Sequence, residues 1–241
     1  MKILEKLASK QKNVFTGEPA TIVVFGDSNT QGCFECFINE QGEIDTVFDT
    51  ESSYGAKLKH ILQMLYPKAQ INLINSGISG DGATNAKNRV EKDVLKYQPD
   101  LVILSFGTND AGGGFDGLEQ YKQSMDSIFA QLQKASCDVI FFSSVLKNSY
   151  VSAKLTDESL IRMAKAQVGL VEADMDNIYF SEAKALCEKY GYLYCDCHAK
   201  WKKMQACGVD TTRLLANHLN HPIRDMHWLF AISLAETIFN N

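Results

Sequence analysis

The run Thr21-Ile22-Val23-Val24-Phe25, followed at once by Gly26-Asp27-Ser28-Asn29, decides the fold. Five strand-forming residues with no polar alternation predict a strand buried on both faces, and the small polar residues after it predict a sharp turn. Four further apolar runs of strand length follow: Ile71 to Ile74, Leu101 to Phe106, Val139 to Phe142 and Tyr192 to Tyr194. Between them lie stretches with apolar residues three and four apart. Leu58, Ile61, Leu62 and Leu65 close before Pro67, and Val90, Val94, Leu95 and Tyr97 close before Pro99. Leu118 to Ala135, Met175 to Tyr190 (stopped by Gly191) and Ile223 to Phe239 read as longer helices. Strands alternating with helices predict an α/β protein with a five-stranded parallel sheet covered on both sides.

The 241 residues, 45% hydrophobic and 22% charged, suit one globular core, and no repeat or linker divides them. A single domain over 1–241 is expected. A net charge of -5 without a Lys/Arg cluster argues against a nucleic-acid partner. No apolar run approaches the ~20 residues needed to cross a bilayer. Near the N-terminus Lys2, Lys6 and Lys10 interrupt Ile3, Leu4, Leu7 and Ala8, unlike a secretory signal, and seven cysteines without an even-spaced framework suit a reducing compartment. The expectation is a cytoplasmic protein whose cysteines are mostly buried free thiols. Cys33 to Ser53 and Leu146 to Val171 exceed ordinary connections and are candidates for a lid or a substrate wall, or for plain surface excursions.

In a doubly wound sheet, ligands bind at the carboxyl ends of the strands. Here those ends carry Gly26-Asp27-Ser28-Asn29, Asn75-Ser76-Gly77 and Gly107-Thr108-Asn109-Asp110. Such residues also make turns and cap helices, so each alone is ambiguous, whereas three such ends together are harder to dismiss. Late in the chain stands Asn217-His218-Leu219-Asn220-His221-Pro222, with Pro222 suited to the first turn of the last helix and His221 at its mouth. A strand-end serine with a histidine on a late loop is what nucleophilic acyl transfer requires, since serine attacks poorly until a base takes its proton.

These residues resemble those of the SGNH hydrolases, also called GDSL-type esterases and lipases. Gly26-Asp27-Ser28 is similar to the first block, Gly77 to the second-block glycine, Gly107-Thr108-Asn109-Asp110 to the third block, and His221-Pro222 to the last; Gly82-Ala83-Thr84 with Arg89 resembles the helix start after the second block. The blocks stand in family order across nearly the whole chain. The resemblance implies a flavodoxin-like three-layer α/β/α sandwich. It also implies a cofactor-independent serine ester hydrolase in which Ser28 attacks, His221 carries the proton, and Ser28, Gly77 and Asn109 hold the oxyanion. Where the family usually has Asp, three residues before the histidine, this chain has His218. Either His218, a backbone carbonyl or Asp225 is then left to orient His221, although Asp225 also reads as a plain first-turn charge.

Cys33-x-x-Cys36 and Cys195-x-Cys197-His198 lack the second pair a zinc site needs, so no metal is expected; Cys33 and Cys36 are expected to line the lid near Ser28. Gly112-Gly113-Gly114 has no phosphate-loop pattern and reads as a mobile rim beside Asn109. The reading is therefore hydrolysis of a small acyl ester, such as an acetylated carbohydrate. Lysophospholipid or thioester hydrolysis, a catalytically idle binding module and a nucleotide binder are the rivals.

Overall fold

A computed structural model describes residues 1–241. In chain order the elements are α1 (Lys2–Lys12), β1 (Ala20–Gly26), α2 (Ser28–Gln31), β2 (Cys33–Ile38), β3 (Ile44–Phe48), α3 (Tyr54–Leu65), β4 (Ile71–Asn75), α4 (Ala83–Ala86), α5 (Val90–Asp93), β5 (Leu101–Ser105), α6 (Leu118–Gln133), β6 (Asp138–Ser143), α7 (Glu158–Glu172), α8 (Met175–Tyr190), β7 (Leu193–Asp196), α9 (Cys197–Ala206) and α10 (His227–Phe239). The five-stranded sheet has the order β4-β1-β5-β6-β7, every pair parallel.

Side chains of a strand alternate between faces, and the sheet uses both. Ile22, Val24, Ile103, Ile140 and Phe142 join one cluster of 25 buried residues with α1, α3 and α10. Val23, Phe25, Val102, Leu104 and Phe141 join another of 23, with α6 and α8. The near-equal clusters explain why the central strands β1, β5 and β6 carry no polar alternation: they are buried on both faces. No helix is long and apolar enough to cross a membrane.

From β1 the chain steps to β4 on one side, then returns to β5 on the other. This reversal places the carboxyl ends of β1, β4 and β5 together, in the crevice where open α/β sheets bind ligands.

The structure departs from the sequence reading in two places. The segment from Val90 to Tyr97 is not one helix: α5 stops at Asp93, whose carbonyl accepts the Ser76 hydroxyl at 2.7 Å, and a 3-10 turn over Leu95–Tyr97 follows. The last helix begins at His227, because Pro222 pairs with Leu215 and the Ile223 N–H donates to the Leu214 carbonyl, holding the chain extended past the proline. The stretch after Cys33 is an antiparallel hairpin, β2–β3, separate from the main sheet. After Asn109 a 3-10 turn, Asp110–Gly113, takes in the first two of the three glycines. Of the seven free cysteines, Cys33, Cys187, Cys195 and Cys197 are buried.

Candidate active site

β1 ends at Gly26, and Asp27 caps α2, its carboxylate accepting the Asn29 N–H at 3.0 Å. Ser28 is the first residue of α2, so its N–H lies in the turn where helices have no internal acceptor. Burial lifts the Asp27 carboxyl to about 7.

His221 comes from a loop built around one side chain. The Asn217 amide oxygen accepts the N–H groups of Leu219, Asn220 and His221 at 2.9–3.0 Å, and Ala216 N–H donates to the His221 carbonyl at 2.7 Å. The loop delivers His221 Nε2 to within 3.0 Å of Ser28 Oγ, with 6% and 4% of the two residues exposed. On the other side of the ring, Nδ1 lies 2.9 Å from the Phe34 carbonyl oxygen. A carbonyl only accepts, so Nδ1 carries the hydrogen and Nε2 turns its lone pair toward the Ser28 hydroxyl. Burial pushes the His221 pKa down to about 4, against a smaller opposing pull from Phe34, so the ring is neutral at ordinary pH.

The Phe34 carbonyl is free for this bond because the β2–β3 register slips between Cys33 and Cys36, a bulge that takes the intervening residues out of the ladder.

Neither of the side chains considered as orienting partner reaches the ring. His218 adopts a left-handed φ of 56°, leaves its buried Nδ1 without a partner, and is influenced by Lys154 and the Thr212 backbone. Asp225 is exposed, in the turn Arg224–Met226, where its charge acts on Lys57. The backbone carbonyl, the third candidate, occupies the position.

The loop after β4 also requires a correction. Gly77 packs so closely on α2 that a Cβ there would lie 2.8 Å from the Gln31 Cα, but its N–H donates to Asn75 Oδ1 at 3.0 Å and it does not line the cavity at Ser28. Gly80 does line that cavity, with a φ of 77° that favours glycine, and its N–H has no protein acceptor. Asn109 is there too. One hydrogen of its amide goes to the Asp81 carbonyl at 2.8 Å, leaving the other free.

The surrounding frame is rigid and charged. Arg89 grips the Asp81 carboxylate at 2.6 Å, donates to the Ser76 and Gly26 carbonyls, and stacks on Phe25 at 4.3 Å, tying the ends of β1 and β4 together. Asp110 accepts from the Ala83 and Gly107 N–H groups, linking β5 to α4. Under Thr108 the buried Lys147 donates to its carbonyl at 2.8 Å and pairs with Asp176.

The cavity at Ser28 holds about 350 Å³ and is walled by Cys36, Phe48, Asn109, Met163 and Asn220. The hairpin and α7 are thus its walls. Cys36 lines it, whereas Cys33 is buried outside it. A larger groove of about 590 Å³, between α3 and Trp228, contains none of these groups.

A parallel α/β sheet with a serine, a histidine and free amide donors at its switch point defines an acylhydrolase-type site. The chain belongs to the GDSL-like lipase/acylhydrolase family, whose pattern matches residues 24–229. An acetylxylan esterase of Geobacillus stearothermophilus is 31% identical over 111 residues, 46% of this chain; the match spans under half of that relative's length, at 45%. Among solved structures, Axe2, an acetylxylan esterase from the same organism, superposes with a TM-score of 0.66 at 21% identity, covering 99% of this chain and 96% of its own. LAE5, an α/β hydrolase from the metagenome of Lake Arreo, gives 0.64 at 21%, covering 91% and 96%. These two likenesses establish the fold. Catalytic mutants of Axe2 have been made at a serine, an aspartate and a histidine.

Proposed function

We propose that the protein hydrolyses small acyl esters of carbohydrates, with Ser28 as nucleophile and His221 as its base. One observation carries this reading: Ser28 Oγ lies 3.0 Å from an Nε2 whose tautomer the Phe34 carbonyl fixes.

As Ser28 Oγ attacks the ester carbonyl carbon, its proton passes to His221 Nε2. The charge gathering on the carbonyl oxygen is met by the Ser28 and Gly80 N–H groups and the free amide hydrogen of Asn109. Collapse expels the alcohol, which takes the proton from Nε2, and leaves Ser28 acylated. Water then attacks the acyl group, giving its proton to His221. The second collapse frees the acid and returns that proton to Ser28 Oγ.

A triad carboxylate has two tasks, fixing the tautomer and stabilising the imidazolium. The Phe34 carbonyl performs the first in full and, as a dipole, contributes to the second. The substitution at His218 is therefore no argument for an idle binding module.

Carbohydrate esters are favoured by the acetylxylan esterase relative and by a cavity whose walls mix Phe48 and Met163 with Asp45, Thr46, Asn217 and Asn220. The test is a panel of p-nitrophenyl esters from acetyl to palmitoyl, beside acetylated xylo-oligosaccharides. Acetate release from the sugar, with kcat/KM falling as the acyl chain lengthens, is expected. A preference for long chains would move the reading to lysophospholipid hydrolysis.

A further inference from the structure

Three residues beyond His221, Arg224 holds both strands of the β2–β3 hairpin with one guanidinium. Its Nη1 and Nη2 donate to the two carboxylate oxygens of Glu35 at 2.6 and 3.1 Å, and its Nε donates to Asp49 at 2.9 Å. The same group lies 4.3 Å over the ring of Phe34, whose other neighbour is the buried His227 ring at 5.0 Å. Glu35 directly follows Phe34 in β2, and Asp49 directly follows β3.

A two-stranded hairpin is marginally stable by itself, and this one joins no larger sheet. Its outer residues Phe37 and Ile44 are exposed, so burial holds only its lower part, at Cys33 and Phe34 in the core and at Cys36 against Leu160, Ala164 and Leu219. The bulge that frees the Phe34 carbonyl also removes the ladder bonds that would otherwise fix it. The fork of Arg224, planar and bidentate, suits the remaining need, which is to fix Glu35 and the Phe34 ring at once. Both carboxyls are correspondingly held below their ordinary range, Glu35 chiefly by Arg224 and Asp49 chiefly by Ser52 with Arg224 adding to it.

We propose that Arg224 is a positioning residue: by clamping Glu35 and Asp49 and covering Phe34, it holds the Phe34 carbonyl against His221 Nδ1, so that a main-chain group does the orienting work of a triad carboxylate. This rests on the Ser28–His221 reading of the site. It adds that the hairpin is part of the catalytic frame as well as a wall.

The experiment compares Arg224→Ala, Arg224→Lys and Glu35→Gln in full-length protein, by steady-state kinetics on p-nitrophenyl acetate and by 15N NMR of the imidazoles, with His221→Ala assigning the His221 signals. Arg224→Ala is expected to lower kcat by about 10- to 100-fold, as a misplacement near 1 Å does, with KM within about threefold. Its His221 signals should change from a single Nδ1–H tautomer to a mixture. Arg224→Lys and Glu35→Gln should fall between Arg224→Ala and the parent in both readouts, and they carry the test if Arg224→Ala does not fold. An unchanged kcat with the tautomer retained, or a loss confined to KM, overturns the clamp. Should Ser28→Ala keep full esterase activity, the hydrolytic reading fails, and the tautomer signal still decides whether Arg224 orients the ring.

Discussion

The carbonyl oxygen of Phe34 lies 2.9 Å from Nδ1 of His221, although the two residues are 187 positions apart in the chain. A hydrogen bond from the ring to a main-chain acceptor fixes the tautomer without placing a negative charge beside the imidazole. The pH behaviour of the site follows from that difference.

The proposed mechanism requires His221 neutral, and burial holds its pKa at about 4 with no carboxylate to raise it. The acid limb of kcat/KM, which reports the free protein, should therefore have its midpoint near pH 4 instead of near the ordinary ~6.5, with activity rising as pH increases through it. Asp27, near 7, is the other group at Ser28 that titrates in the working range, and Asp27→Asn isolates the His221 limb. A midpoint at 6.5 or above in that variant would show an uncounted negative charge at the ring.

Both ring nitrogens of His221 bond to groups other than His218, so His218→Ala should cost less than about tenfold in kcat, under ~1.4 kcal/mol of barrier. His218→Asp should change the rate and the pH profile little, because Nδ1 is already engaged. Steady-state kinetics of the two variants checks both; a large loss in His218→Ala would make His218 part of the machinery.

Asn109→Ala removes one of the proposed oxyanion donors and should lower kcat by about 10²- to 10³-fold with little change in KM. Gly77→Ala tests a different property. The new Cβ meets the backbone of Thr30 and Gln31, so the variant should lose at least ~1–3 kcal/mol of stability, seen as a lowered denaturant midpoint. An undisturbed Gly77→Ala would mean that the loop after β4 is looser than its packing on α2 implies.

His227 is fully buried, neither ring nitrogen has a partner, and its pKa is pushed down to about 3. It is neutral in the fold and must take up a proton on unfolding below ~6.5, so it withdraws stability as pH falls from there toward 3. His221 acts in the same direction between ~6.5 and 4; Asp27, raised to about 7, acts oppositely between ~3.8 and 7. His227→Phe should therefore reduce the slope of unfolding free energy against pH by about 1.4 kcal/mol per unit between pH 5 and 6. Denaturant titrations at those two pH values measure it, and an unchanged slope would show that His227 is hydrated or paired.

The apolar runs Thr21 to Phe25 and Leu101 to Phe106 announced the sheet because burial on both faces leaves no room for polar alternation. That Ser28, Asn109 and His221 would meet at one cavity was legible, because a serine, an amide and a histidine at strand ends and on a late loop are what acyl transfer requires. Phe34 was not, since a carbonyl is present at every residue and only the bulge makes this one free. The sequence does not separate Gly77 from Gly80, because two glycines three apart look alike until one N–H is found committed to Asn75. The helix does not run through Val94 because the tertiary bond from the Ser76 hydroxyl occupies the Asp93 carbonyl and outweighs a favourable periodicity.

The measurement that bears most directly on the Ser28–His221 centre is mass-spectrometric mapping of a fluorophosphonate adduct in the parent protein, Ser28→Ala and His221→Ala, with p-nitrophenyl acetate hydrolysis followed in parallel. The account predicts one adduct, on Ser28 in the parent and lost in both variants, with kcat lowered by several orders of magnitude in each and little further in the double variant, because the two residues act as a unit. No adduct, or an adduct on another residue with hydrolysis intact in Ser28→Ala, would contradict it.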